Sequence, residues 1–185
     1  GGMRSQIAQQ WLADHGVQYP RVTGGYKAMR GYLDSSLEAS TEAIGLWVVS
    51  GRTGTGKTHL LPRLPDHLDL EGLAEHRGSS FGKRASGQPT QATFEHRVAI
   101  DMLRAHHGGR SILAVEDESR LIGRRSVPSP VFSKMNSASI VVLEATRAFR
   151  VNQIVDDYVN VSALEYQAEW GDERGWAVFG ETLQQ

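Results

Sequence analysis

Residues 51–58 read Gly51-Arg52-Thr53-Gly54-Thr55-Gly56-Lys57-Thr58, a complete G-x-x-x-x-G-K-[ST] spacing. Glycines at these intervals let successive backbone N–H groups turn inward on an anion. The lysine brings a mobile positive charge to terminal phosphates, and the threonine hydroxyl suits Mg²⁺. The chemistry is the gripping of a di- or triphosphate. A second group, Glu116 and Asp117 with Glu118 third, ends the apolar run 111–115. Carboxylates at the end of a buried strand, downstream of a phosphate loop, hold Mg²⁺ or its water shell. Three adjacent carboxylates repel one another unless some reach solvent or a cation, and the spacing leaves open which one faces the site.

Arginines follow at Arg120, Arg124 and Arg125, around Gly123. Guanidinium groups there would neutralise a leaving pyrophosphate, clamp an RNA backbone, or simply face solvent. The stretch His76-Arg77-Gly78-Ser79-Ser80-Phe81-Gly82 is denser. It sets a titratable ring, a guanidinium, two hydroxyls and an aromatic on one loop, so that His76 and Arg77 would meet phosphate and Phe81 would stack on a base or wall an apolar pocket. A plain surface loop is the alternative.

Positioning these groups requires a strand that delivers its carboxyl end into the loop and a helix that follows it. The run 44–49 supplies the strand, and a helix is expected from about 57 to 64. Further strands are read at 111–115 and 139–143, with helices at 91–106, 130–136 and 145–159. Alternating strands and helices imply an α/β fold, a P-loop NTPase-like parallel sheet flanked by helices. Trp47 and Phe94 are assigned to core packing rather than to a pocket. The segment 78–89, rich in Gly, Ser and Pro, reads as a functional loop.

Ahead of the first strand, Ile7, Ala8, Trp11 and Leu12 share one helical face over 5–14. An extended piece follows at 17–22 and a second helix at 26–32, and the polar stretch 34–43 reads as a linker.

With 185 residues and 39% hydrophobic content the chain can bury a substantial core. Net charge is −1, yet residues 76–134 hold ten Lys and Arg against five Asp and Glu. That local +5, which includes Lys83, Arg84, Arg124 and Arg125, would face RNA phosphates or be solvated. The absence of cysteine excludes disulfides and thiolate chemistry from these residues. No apolar run is long enough to cross a membrane and the start shows no signal-peptide pattern, so a cytoplasmic location is expected.

Four strings together are more specific than the phosphate loop alone: 51–58, then 69–82 (Asp69-Leu70-Glu71-Gly72-Leu73-Ala74-Glu75 running into His76), then Gln91-Ala92-Thr93-Phe94-Glu95, then 115–123. In order and spacing they resemble the P-loop domain of bacterial tRNA 2-selenouridine synthases. Residues 1–33, with Gly24-Gly25-Tyr26-Lys27-Ala28, resemble the end of that family's rhodanese domain, whose cysteine-bearing part is missing from this chain. The resemblance implies three domain segments: 1–33 as rhodanese fragment, 34–43 as linker, 44–185 as P-loop domain.

It also implies a transferase whose partner is a tRNA carrying 2-thiouridine at the wobble position. The implied reactions are S-geranylation with geranyl diphosphate, then replacement of the geranylthio group by selenium from selenophosphate. Mg²⁺ is the implied cofactor, and ATP is not required. Residues 51–58 would hold the diphosphate, Thr58 with Glu116 or Asp117 the metal, and Arg124, Arg125, Lys83 and Arg84 the RNA. His76, Arg77, Ser79, Ser80 and Arg120 are carried over as active-site residues. A P-loop kinase or NTPase for a small metabolite, with Arg120, Arg124 and Arg125 as lid arginines, is the competing reading. A non-catalytic tRNA-binding module is a third.

Overall fold

The computed structural model describes residues 2–78 and 82–182. In chain order these form α1 (Met3–Asp14), α2 (Gly25–Ala43), β1 (Gly45–Ser50), α3 (Lys57–Leu60) with a 3₁₀ turn (Leu61–Arg63), β2 (His67–Leu68) and α4 (Leu70–Ala74). There follow α5 (Gln91–His107), β3 (Ile112–Glu116), β4 (Leu121–Ile122), β5 (Arg125–Ser126), α6 (Ser129–Asn136) and β6 (Ser139–Val142). The remainder is α7 (Arg147–Val155), a π-helical stretch (Asp156–Val161), α8 (Ser162–Trp170) and α9 (Asp172–Thr182).

Four strands form a parallel sheet in the order β2-β3-β1-β6, and β4 and β5 make a small antiparallel hairpin. β1 is central because Leu46, Val48 and Val49 are all buried, as a strand covered on its faces requires. Leu113 and Val115 of β3 join it, and Phe94, Val98 and Met102 of α5 close over them. Helix starts follow their caps. Asp69 accepts from the Gly72 N–H at 2.7 Å, Thr90 from Thr93 at 3.2 Å and Thr146 from Phe149 at 3.3 Å. The helix after the phosphate loop is short, since Pro62 forces the chain into the 3₁₀ turn.

The parallel sheet flanked by helices is the architecture expected from the sequence. Three local expectations are corrected. Residues 34–43 are not a linker: they are the second half of the 19-residue α2. Leu33, Leu37, Ser40 and Thr41 lie on one face of it against the core, and the Ser40 hydroxyl meets His106 Nδ1 at 3.3 Å on α5. Trp47 is not core but 52% exposed, paired with only the small Ala114 and Ser139 on the neighbouring strands, whereas Phe94 is fully buried as expected. The helix expected over 145–159 breaks into α7 and the π-helical stretch. α1 forms, but none of its residues is buried. Among the described residues no helix is long and apolar enough to cross a membrane.

Candidate phosphate-binding site

β1 ends beside its two neighbours, and those contacts aim the loop. The Asp117 N–H donates to the Val49 carbonyl at 3.0 Å, and the Leu143 N–H to the Ser50 carbonyl at 2.8 Å. The chain leaves the sheet at the carboxyl end of its central strand, where ligands of open α/β sheets bind. Gly54 and Gly56 have φ of 81° and 89°. A side chain at Gly54 would run into the Arg150 carbonyl, and one at Gly51 would come within 2.7 Å of the Leu143 carbonyl. Glycine is therefore required at both by conformation and by close packing. Lys57 Nζ donates to the Gly51 carbonyl at 2.5 Å, and Thr55 Oγ1 to the Arg52 carbonyl at 2.8 Å.

A cavity of about 150 Å³ lies over the loop, lined by Thr53 to Thr58 on one side. Opposite stand Glu71, Arg77, Asp117 and Glu118, with Asp157 and Tyr158 from the π-helical stretch. Thr58 Oγ1 donates to Glu71 Oε2 at 3.2 Å, and Ser50 Oγ to Asp117 Oδ2 at 2.5 Å. Burial raises the Glu71 carboxyl above its ordinary range. Burial, then the charge of Glu71, pushes Glu118 up to about 8, and the two carboxyls are hydrogen-bonded to each other. Gly78, at φ 61°, packs against this pair, so that any side chain there would strike Glu71 and lie 2.6 Å from Glu118.

Of the two favoured acidic residues, Asp117 faces the cavity and Glu116 does not. Glu116 lies on the opposite side of β3 from Leu113 and Val115, accepting the Leu70 N–H at 3.2 Å, and burial followed by the charge of Asp69 pushes it up to about 9. It secures the start of α4 rather than lining the cavity. Glu118, placed third by sequence, does line it. Among the described residues no group of three or more His, Asp or Glu is arranged to hold a metal ion.

Arg77 lines the cavity but is fixed from outside it, donating to Ser162 Oγ at 2.8 Å and Glu165 Oε1 at 2.7 Å of α8. His76 is buried behind the cavity, and burial, then Lys83 and Arg84, lowers its pKa, favouring the neutral ring. Arg120 lies away from the cavity: it bonds Ser126 Oγ at 3.3 Å and Ser129 Oγ at 3.0 Å and sits 5.4 Å over the Phe132 ring. It ties the hairpin to α6 and does not line the cavity. Ser79, Ser80 and Phe81 lie outside the described residues.

The basic residues assigned to RNA fall on one region. His76 bridges Lys83, and Gln88 bonds the Ala74 and Ile122 carbonyls and the Arg124 N–H, bringing 83–88 beside the hairpin that carries Arg124 and Arg125.

Glu71, Asp157 and Tyr158 had no role assigned from sequence. Glu71 stood inside the quoted 69–82 string but lacked a strand-end position. Asp157 and Tyr158 reach the cavity only because the π-helical stretch folds over the loop. There Asp157 Oδ1 lies 2.8 Å from His59 Nε2, and Arg150 Nε donates to the Thr53 carbonyl at 2.9 Å. Single-turn π distortions recur at functional sites.

A family described as the tRNA 2-selenouridine synthase AAA domain matches residues 44–185. Curated tRNA 2-selenouridine synthases are similar along the whole chain: that of Marinobacter nauticus is 46% identical over 99% of it, and that of Pseudomonas syringae pv. syringae 48% over 100%. That of Aeromonas salmonicida is 46% identical over 99%. The chain spans about half the length of these relatives, at 50%, 50% and 49%. No solved structure matches it. With its phosphate loop, parallel sheet and matched span in agreement, the chain belongs to the tRNA 2-selenouridine synthase AAA-domain family.

Proposed function

We propose that this chain supplies the diphosphate-gripping half of a tRNA wobble-uridine modifying transferase. The reaction is S-geranylation of 2-thiouridine. The 2-thio sulfur forms a bond to C1 of geranyl diphosphate, the C1–O bond breaks, pyrophosphate departs with the electron pair, and the base loses its N3 proton. In the longer relatives' architecture a second step would exchange the geranylthio group for selenium from selenophosphate. The observation that supports this most directly is the loop 51–58 opposed by Asp117, Glu118 and Glu71 in a cavity only about 150 Å³ in volume.

The loop N–H groups and Lys57 hold the diphosphate and stabilise the negative charge that grows on it as C1–O opens. Lys57 already reaches a loop carbonyl at 2.5 Å, so an arriving anion would exchange that contact for a phosphate oxygen. Mg²⁺ fits the oxygen donors present, Thr58 Oγ1 and the Asp117 carboxylate, and when bound it would screen the carboxylates from the diphosphate and polarise its oxygens. Arg77, held by Glu165, completes the wall of the cavity. Nothing in this chemistry requires cleavage of a γ-phosphate, so ATP is not required. The acceptor is a tRNA bearing 2-thiouridine, contacted by the basic region of Lys83, Arg84, Arg124 and Arg125.

Calorimetric titration of geranyl diphosphate and of ATP, each with Mg²⁺, into the chain and its Lys57→Ala variant tests this reading. Preferential, Lys57-dependent binding of geranyl diphosphate is expected. Preferred ATP binding would transfer the site to a kinase or NTPase, and salt-sensitive tRNA binding without either ligand would leave an RNA-binding module.

A further inference from the structure

Arg77 joins the cavity wall from a loop, and a loop alone would leave so long a side chain free to swing. Its backbone is tied down, since the Arg77 N–H donates to the Gly82 carbonyl at 2.9 Å. The guanidinium is fixed by a distant part of the chain. Nη1 donates to Ser162 Oγ at 2.8 Å and Nη2 to Glu165 Oε1 at 2.7 Å, both on α8 and 85 and 88 residues away. Ser162 Oγ in turn donates to the Asp157 carbonyl at 3.1 Å, so one hydroxyl joins Arg77 to the π-helical stretch that covers the loop.

This contact differs from an ordinary surface ion pair. The Arg77 side chain is only 10% exposed, which shields the pair from salt and water. Glu165 Oε2 is buried with no hydrogen-bond partner among the described residues. Leaving a carboxylate oxygen in that state costs stability; what the arrangement secures is the direction of the guanidinium. α8 also has a footing of its own. Its Ala163 and Tyr166 pack with Phe179 of α9 and with Ala85, in a cluster separate from the main core. A guanidinium carries five N–H donors in one plane, so it can answer α8 and an anion together. Ordered in advance, it need not be immobilised when a phosphate arrives.

We propose that Glu165, with Ser162, is a positioning residue for the phosphate site: it orients Arg77 onto a diphosphate held by loop 51–58 and acts only through Arg77. The inference rests on the diphosphate-binding part of the reading above, and not on which group the diphosphate carries. Charge alone predicts the opposite effect. Glu165 is an anion near an anion site, so deleting it would raise diphosphate affinity if its charge were all that mattered. A positioning role makes the deletion harmful.

The test titrates inorganic pyrophosphate, with Mg²⁺, into the unaltered chain and into Lys57→Ala, Arg77→Ala, Glu165→Ala, Glu165→Gln and the combined Arg77→Ala and Glu165→Ala variants. Glu165 lies outside both apolar clusters, so folding is expected to survive, and thermal midpoints check it. Glu165→Ala should lose about fivefold or more in affinity. Glu165→Gln, which keeps an acceptor oxygen for Arg77, should stay within about twofold of the unaltered chain or bind more tightly. Once Arg77 is alanine, removing Glu165 should change affinity by less than about twofold. Equal or tighter binding by Glu165→Ala overturns the proposal, and so does a loss that persists in full without Arg77, which would make Glu165 a structural prop. Either result leaves the loop's role standing if Lys57→Ala still weakens binding. Failure of the unaltered chain to bind pyrophosphate, or binding indifferent to Lys57, would remove the diphosphate reading and this inference with it.

Discussion

Glu116 and Asp117 are neighbours with opposite employments, and the pleat of β3 is the reason. Successive residues at a strand end point to different sides, so Asp117 meets Ser50 beside the phosphate loop while Glu116 turns back to the start of α4. From sequence the acidic cluster was visible, but its parity relative to the loop was not, because the end of the strand sets it. Burial gives Glu116 a folded-state pKa of about 9 against an ordinary 4.5. The native state therefore binds this proton more tightly than the unfolded chain, and the stability contribution is complete below about pH 4.5 and lost as pH rises toward 9. Glu116→Gln should make the decline in thermal midpoint between pH 5 and 9 shallower, with phosphate binding kept. A midpoint profile superimposable on that of the unaltered protein would show that Glu116 is not buried in this way. Lys57→Ala should reduce pyrophosphate affinity by about tenfold or more, from the loss of a charge-assisted contact, with little change in midpoint. Isothermal titration and calorimetric melting read the two effects separately.

At the scale of elements, the site depends on how α7 and the π-helical stretch lie over the loop. Gly54 is the seam. Its φ of 81° and its closeness to the Arg150 carbonyl and the Ile154 side chain mean that Gly54→Ala must both strain the loop and push α7 away. A loss of about 1–3 kcal/mol in stability and of most pyrophosphate affinity is expected, checked by denaturant unfolding and titration. An alanine variant that binds normally would mean that α7 does not rest on the loop. The strands β1 and β3 and helix α5 were legible because each carries a strong apolar pattern. The second half of α2 was not: its inward face includes Ser40 and Thr41, small hydroxyl residues that periodicity counts as polar but that pack closely against the core. β2, only His67–Leu68, is too short to announce itself and exists through its pairing with Ala114 and Val115. The reach of Asp157 into the cavity is tertiary in origin, set by the π-helical turn rather than by any local motif.

Across the whole molecule, charge is segregated although the total is only −1. The cavity over the loop sets four carboxyl groups against Lys57 and Arg77, while Lys83, Arg84, Arg124 and Arg125 gather on the region joined by Gln88 and the hairpin. If that region carries the tRNA, Arg124→Ala combined with Arg125→Ala should weaken binding and reduce the slope of log K against log salt by about 1 to 2. Filter binding across a salt series measures it, and an unaltered slope would exclude both arginines as phosphate contacts. The sequence displayed the +5 excess of residues 76–134 but not its gathering, which requires Gln88 to reach the Ile122 carbonyl and the Arg124 N–H and so bring two distant segments side by side.

The strand order also sets when the loop can become competent. β1 pairs through Gly45 with Ile112 on one side and through Trp47 with Ser139 on the other, both far along the chain. Closing such long crossovers is the slow part of folding parallel sheets. The loop takes its aim from both neighbours, so no partly folded species should hold a diphosphate. In refolding experiments, recovery of pyrophosphate binding should coincide with the slowest structural phase, making ligand capture a clock for completion of the sheet.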